Sequence, residues 1–148
     1  MALRMRRPET KRLQLTDGEF LTVKMHLTAG ERRAIFARMM TSDADGMHID
    51  TVKIGLSKVL GYLLDWSAKD PDGKPVEIRD KPIEAVEAAL DALDPESFAE
   101  ILAAIEAHEE AMTAERTATK NELDGGSKSP AISPSLVGVA GDTNGSAN

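Results

Sequence analysis

The sequence predicts a mainly α-helical domain of about four helices, with a short N-terminal β-hairpin and a disordered C-terminal tail. Three observations carry this expectation. Apolar residues recur every three or four positions along several successive stretches, Thr28, Pro82 and Pro95 stand where helices begin, and a period-two alternation brackets Asp17-Gly18. The predicted organisation is a flexible basic N-terminus over 1–10, a mainly helical interaction domain over 11–120 and a disordered tail over 121–148.

In "KRLQLTDGEFLTVKM", Leu13 and Leu15 on one side and Leu21, Val23 and Met25 on the other flank a turn dipeptide, which is a hairpin pattern. Thr28 and Glu31 have the spacing at which each side chain caps the other's backbone N–H. A helix over Ala29 to Met40 follows, with Ile35, Phe36, Met39 and Met40 as its apolar stripe. After the loop "TSDADGM", the pattern Ile49, Val52, Leu56, Val59, Leu60, Leu63 predicts a second helix running to about Trp66. Ile54, Tyr62 and Leu64 widen its stripe beyond one face, and Gly55 and Gly61 permit close approach of another backbone.

Beyond the Asp70 to Pro75 turn, "PVEI" reads as a short strand and Pro82 as the first residue of a helix striped by Ile83, Val86, Leu90 and Leu93. Asp94 and Pro95 end that helix and start the next, which carries Phe98, Ile101, Leu102, Ile105 and Met112 and reaches about Lys120. From Asn121 onward Gly, Ser, Pro and Asn dominate, a composition that buries too little apolar surface to offset its ordering entropy.

A chain of 148 residues with 41% hydrophobic content suits one modest core. Its 3% aromatic content means that the core is built mostly from Leu, Ile, Val, Ala and Met. A net charge of −7 argues against nucleic acid or anionic membranes as partners of the whole surface and favours a protein. The absence of cysteine excludes disulfides and thiol chemistry. "MALRMRRPETKR" is basic, but no apolar signal region follows it, and the run Ile54 to Trp66 is too short to span a bilayer that needs about 20 apolar residues. A cytoplasmic protein is expected.

No catalytic or cofactor pattern is legible. "DADG" and "DPDG" resemble the start of a calcium loop, but counting from Gly46 and Gly73 puts Val52 and Arg79 where a bidentate Glu is required. Turn chemistry explains both. His26, His48 and His108 lack metal-ligand spacing. The stretch Asp80 to Asp124 is strongly acidic, which serves either as a solvated face or as a surface for a basic partner. Met25, Met39, Met40 and Met47 cluster early, as core filling or as adaptable contacts for varied apolar partners.

At "EFLTVKMHLTAGERRAIFARM", "GLSKVLGYLLDWSAKDPDGKPVEIR" and "ALDALDPESFAEILAAIEAHEEAMTAER" the chain resembles tail assembly chaperones of long-tailed bacteriophages, in the same order from about Glu19 to Arg116. Its most recognisable points are the Asp65-Trp66-Ser67 junction, the Gly73-Lys74-Pro75 turn and the Asp94-Pro95-Glu96 helix break. The resemblance implies a non-catalytic protein of the host cytoplasm. Such a protein binds the long helical tape measure protein, keeps it from aggregating and helps recruit tail tube protein around it. Self-association is a further option, and neither nucleic acid nor membrane is an expected partner. The alternative is a small structural tail or connector protein retained in the virion. No cofactor or metal is expected. The candidate partner-binding residues are Leu60, Tyr62, Leu64 and Trp66 on the widest apolar helix, with Met39 and Met40.

Overall fold

In the computed structural model, which describes residues 2–124, strands and helices are interspersed along the chain. Four α-helices and five strands in two sheets are present among the described residues, so the fold is mixed α/β and the mainly helical expectation is corrected. The described residues up to Glu109 form one compact unit. A second begins at Glu110, and its described part is the C-terminal half of the last helix.

Strands β1 (Thr10–Gln14) and β2 (Phe20–Lys24) form the predicted hairpin, with Leu13 opposite Leu21. A single 3-10 turn, Thr16–Gly18, connects them. Asp17 and Gly18 both adopt positive φ there, 56° and 77°, which is why Asp-Gly suits this turn. Helix α1 (Ala29–Met39) starts at the predicted capping box: Glu31 N–H donates to Thr28 Oγ1 at 3.1 Å and Thr28 N–H to Glu31 Oε1 at 2.8 Å.

At Met40 the backbone turns extended and a second hairpin begins, where a plain loop was expected. Strands β3 (Met40–Asp43) and β4 (Gly46–Ile49) are only four residues each, too short for their alternation to stand out in the sequence. Their turn is held by Asp45 N–H donating to Asp43 Oδ1 at 2.8 Å, and Gly46 takes φ 106°, which a residue with a Cβ rarely adopts.

Helix α2 (Thr51–Tyr62) is capped by Asp50, whose carboxylate accepts Val52 N–H at 3.0 Å. It stops four residues before the expected end, and Leu63–Trp66 is strand β5, the third strand of the sheet β1-β2-β5. The physical reason lies in the pairing. Leu21 faces Trp66 and Val23 faces Leu63, so partners two apart on β2 meet residues three apart on β5, with Leu64 as the extra residue of a bulge. The bulge turns both Leu63 and Trp66 toward the core. Their three-residue spacing also continues the helical period of α2, which hides the strand from a periodicity reading.

The "PVEI" segment forms no strand. It keeps one bridge, Lys69 to Pro75, and Val76 N–H donates to Ala68 O at 3.0 Å. The Asp70 corner is a turn in which Asp70 Oδ1 accepts Asp72 and Lys74 N–H, both at 2.9 Å. Helix α3 (Ile83–Asp91) begins after Pro82, which serves as its N-cap and not as its first residue. Helix α4 (Pro95–Asp124) is started by Asp94, which accepts Ser97 N–H at 2.9 Å. The helix absorbs residues 121–124 of the expected tail, and the rest of that tail lies outside the described residues.

The core joins Leu21 and Val23, Leu63 and Trp66, Val59, Leu60 and Tyr62, Ile78, Val86 and Leu90 of α3, and Ile101 and Ile105 of α4. Aliphatic residues dominate it, as the aromatic-poor composition requires. Trp66, the last residue of β5, donates Nε1–H to Val76 O at 2.7 Å, pinning the corner that follows the strand. None of Met25, Met39, Met40 and Met47 is fully buried.

Candidate functional site: an apolar groove with a basic rim

Helix α1 has two apolar faces. Ile35 and Phe36 are adjacent in sequence, so their side chains leave the helix about 100° apart. Ile35 is buried against α2, where Gly61 leaves room for it: a Cβ at Gly61 would lie 2.2 Å from Ile35 Cδ1. Phe36, about 100° further round the helix, lies off that contact and is 53% exposed. Arg32, one turn before it, and Met40, one turn after it, lie on the same side.

The register of β3–β4 adds the second wall. Met40 opposes Ile49 and Ser42 opposes Met47, so these four side chains share one face of the hairpin. Thr41, Asp43 and His48 share the other face, where His48 Nδ1 lies 3.6 Å from Asp43 and Lys53 Nζ donates to Thr41 Oγ1 at 3.2 Å. The hairpin is thus amphipathic, with an apolar face left in solvent: Met47 is 66% and Ile49 46% exposed. Val52 follows at the start of α2 and is 87% exposed.

Ala29, Arg32, Arg33, Phe36, Ala37, Met40 and Met47 line a shallow groove of about 860 Å³. Among the described residues neither Arg32 nor Arg33 is in an ion pair, and both are exposed. Glu31, the nearest acid on the helix, is occupied elsewhere: its Oε2 lies 2.8 Å from Lys24 Nζ. Burial pushes the Glu31 pKa up, but the Lys24 hydrogen bond, the Thr28 N–H and the Lys24 charge outweigh it and hold the carboxyl below its ordinary value. Among the described residues the groove thus holds two cations outside any ion pair beside an apolar stripe, on a chain of net charge −7.

The sequence-predicted binding residues divide. Leu60, Tyr62 and Trp66 are buried in the core and bind the chain's own sheet and helices. Leu64, the bulge residue, is half-buried and lines a small cavity of about 160 Å³ beside Arg6, Arg7 and His26. Met39 is half-buried at the end of α1, and Met40 alone of the six lines the groove. Phe36, Met47 and the two arginines complete the site. The signal for them is present in "GERRAIF": a wheel drawn from Ile35 puts Arg32 and Phe36 together off the core face.

A second cleft, of about 490 Å³, lies between the β1–β2 turn, the Asp70 corner and the α3–α4 junction. Its carboxylates brace the fold. Glu100 accepts Thr16 N–H at 2.7 Å and Thr16 Oγ1–H at 3.2 Å, Glu19 accepts Ser67 Oγ–H at 2.6 Å, and Asp94 accepts Ser97 N–H and Oγ–H. His108, on α4, lies far from the other histidines in role: buried, it has Nε2 within 3.1 Å of both Lys24 O and Met25 O and meets Tyr62 edge-on. Among the described residues no group of three or more His, Asp or Glu side chains is placed to hold a metal ion. No helix among them is long and apolar enough to cross a membrane.

In comparisons with known proteins, no family model, curated protein or solved structure matches this chain.

Proposed function

We propose that this chain is a tail assembly chaperone of long-tailed bacteriophages, which binds the tape measure protein in the host cytoplasm and assists tail tube assembly without catalysis. The observation that carries the reading is the solvent-facing groove of Phe36, Met40 and Met47, with Ile49 on the same hairpin face and Val52 also exposed. An apolar surface held open by a rigid helix and a hairpin suits reversible capture of apolar helical segments, and methionines adapt to partners of varied shape. The acidic residues on α3 and α4 keep such a complex soluble. The family assignment itself rests on the resemblance of the three sequence stretches given above.

Co-expression with the tape measure protein of the same genome tests the proposal. A soluble, stoichiometric complex is expected with the native chain, and none with Phe36→Asp, whose exposed position leaves the fold intact. A tape measure protein that stays equally insoluble, or equally soluble without forming a complex, refutes it.

A further inference from the structure

We infer that the groove takes an amphipathic α-helix whose apolar stripe is flanked by carboxylates, and that Arg32 and Arg33 select for that charge. This deepens the docking role proposed above and rests on it.

The shape comes first. The lining on α1 runs from Ala29 to Ala37, about 12 Å of helix at 1.5 Å per residue or just over two turns, and Met40 extends it past the helix end. A helix laid along it would present three apolar anchors at i, i+3 or i+4, and i+7. Ala29 and Ala37 are small enough to let a second helix approach the lining closely, while Phe36 and Met47 supply its apolar bulk. Met40 and Met47 enter the lining from one face of the hairpin, which suits side-chain anchors.

Charge supplies the second half. Arg32 and Arg33 stand on the same face as Phe36 without ion-pair partners among the described residues, and the neighbouring Glu31 is already neutralised by Lys24. An incoming helix with Glu or Asp beside its stripe gains two guanidinium contacts there. One with Lys in those places meets two like charges. Exposed rim charges act chiefly on association rate and salt dependence, which gives the preference a signature separate from the apolar contact.

The test uses the full chain and two labelled synthetic helical peptides of about 18 residues, or five turns. Both carry the same Leu stripe, one flanked by Glu and the other by Lys, and binding is read by fluorescence anisotropy at low and high salt. The Glu peptide is expected to bind about tenfold more tightly than the Lys peptide at low salt, with the gap closing as salt rises. The double variant Arg32→Glu/Arg33→Glu should invert the order, and Phe36→Asp should abolish binding of both. Circular dichroism checks that each variant is folded.

Equal affinity for the two peptides, or a preference that survives the arginine reversal, overturns the inference. So does binding to vesicles of anionic lipid with neither peptide bound. Concentration-dependent self-association that Phe36→Asp removes overturns it too, because a second copy would then fill the groove. If Phe36→Asp ends capture of the tape measure protein while both peptides bind equally, only the charge selection fails. If Phe36→Asp captures that protein as well as the native chain does, the functional reading fails instead.

Discussion

Replacing Gly61 by Ala tests how α1 is held and therefore how the groove is presented. Gly61 is the last residue but one of α2, so propensity alone favours Ala there by up to roughly 1 kcal/mol and predicts a more stable α2. The new Cβ, however, would stand 2.2 Å from Ile35 Cδ1 and 2.3 Å from Ile35 Cγ1, where ordinary carbon contacts begin near about 3.5 Å. Ile35 is buried, so either its side chain leaves its rotamer or α1 lifts from α2. Overpacking of this kind costs about 1–3 kcal/mol, and net of the propensity gain the expectation is a loss of up to about 2 kcal/mol.

Gly55→Ala is the matched control. It lies in the same helix, but its Cβ would meet only the far end of the half-buried Leu102 side chain, at 2.8 Å, which can swing aside. That variant should be neutral or slightly stabilised. Urea unfolding followed by the fluorescence of Trp66, the one tryptophan and a core residue, reads each case. In an Ile35→Ala background, itself about 2–4 kcal/mol less stable, Gly61→Ala should turn stabilising, with a coupling of about 1–3 kcal/mol. A Gly61→Ala protein at least as stable as the native chain, or no coupling to Ile35, would refute the close approach of α1 and α2.

Four further outcomes follow from the same contacts. Trp66→Phe leaves the Val76 carbonyl without its donor and should cost about 1–3 kcal/mol in urea unfolding. Thr28→Ala removes one half of the capping box and should cost about 0.5–2 kcal/mol, seen as a lower thermal midpoint. Lys58 on α2 lies 3.0 Å from Glu109 and 3.5 Å from Glu106 on α4; burial pushes its pKa down, but the two carboxylates overcome this and raise it. Its contribution is therefore complete below the ordinary lysine value of about 10.4 and lost as pH rises through the raised one, so native stability should fall more steeply than that of Lys58→Met above about pH 10. Glu31 behaves in the opposite sense: its carboxyl is held below its ordinary value, its stabilisation is present above that value and lost in acid, and Glu31→Gln should flatten the acid limb of the stability curve.

The elements read correctly from the sequence are those with a complete local signal. Asp17-Gly18 marks a turn because Gly accepts positive φ readily, and Asp does so more readily than most residues. Thr28 and Glu31 mark a helix start because each can reach the other's N–H within one turn. Asp94 and Pro95 mark another for the same kind of reason. Strand β5 fails such a reading because Leu63 and Trp66 are spaced as a helix would space them, and only the bulge against β2 explains the spacing. Leu60, Tyr62 and Trp66 attract notice as the most apolar stretch, and that is also why they close the core instead of remaining outside it. The groove escapes notice because Phe36, Ile49 and Val52 lie within periodic runs that read as core.

By itself the sequence determined the caps, the turns, the acidic balance and the aliphatic character of the core, since each depends on residues that are neighbours in the chain or on composition alone. Only the tertiary structure decided that Leu63–Trp66 is a strand and that Phe36, Met40 and Met47 face solvent. Val23 and Leu63 are forty positions apart, and backbone pairing at that distance leaves no local mark. Hydrophobic burial is likewise non-directional: α1 offers Ile35 and Phe36 alike, and it is Gly61 on another helix that determines which of them is buried.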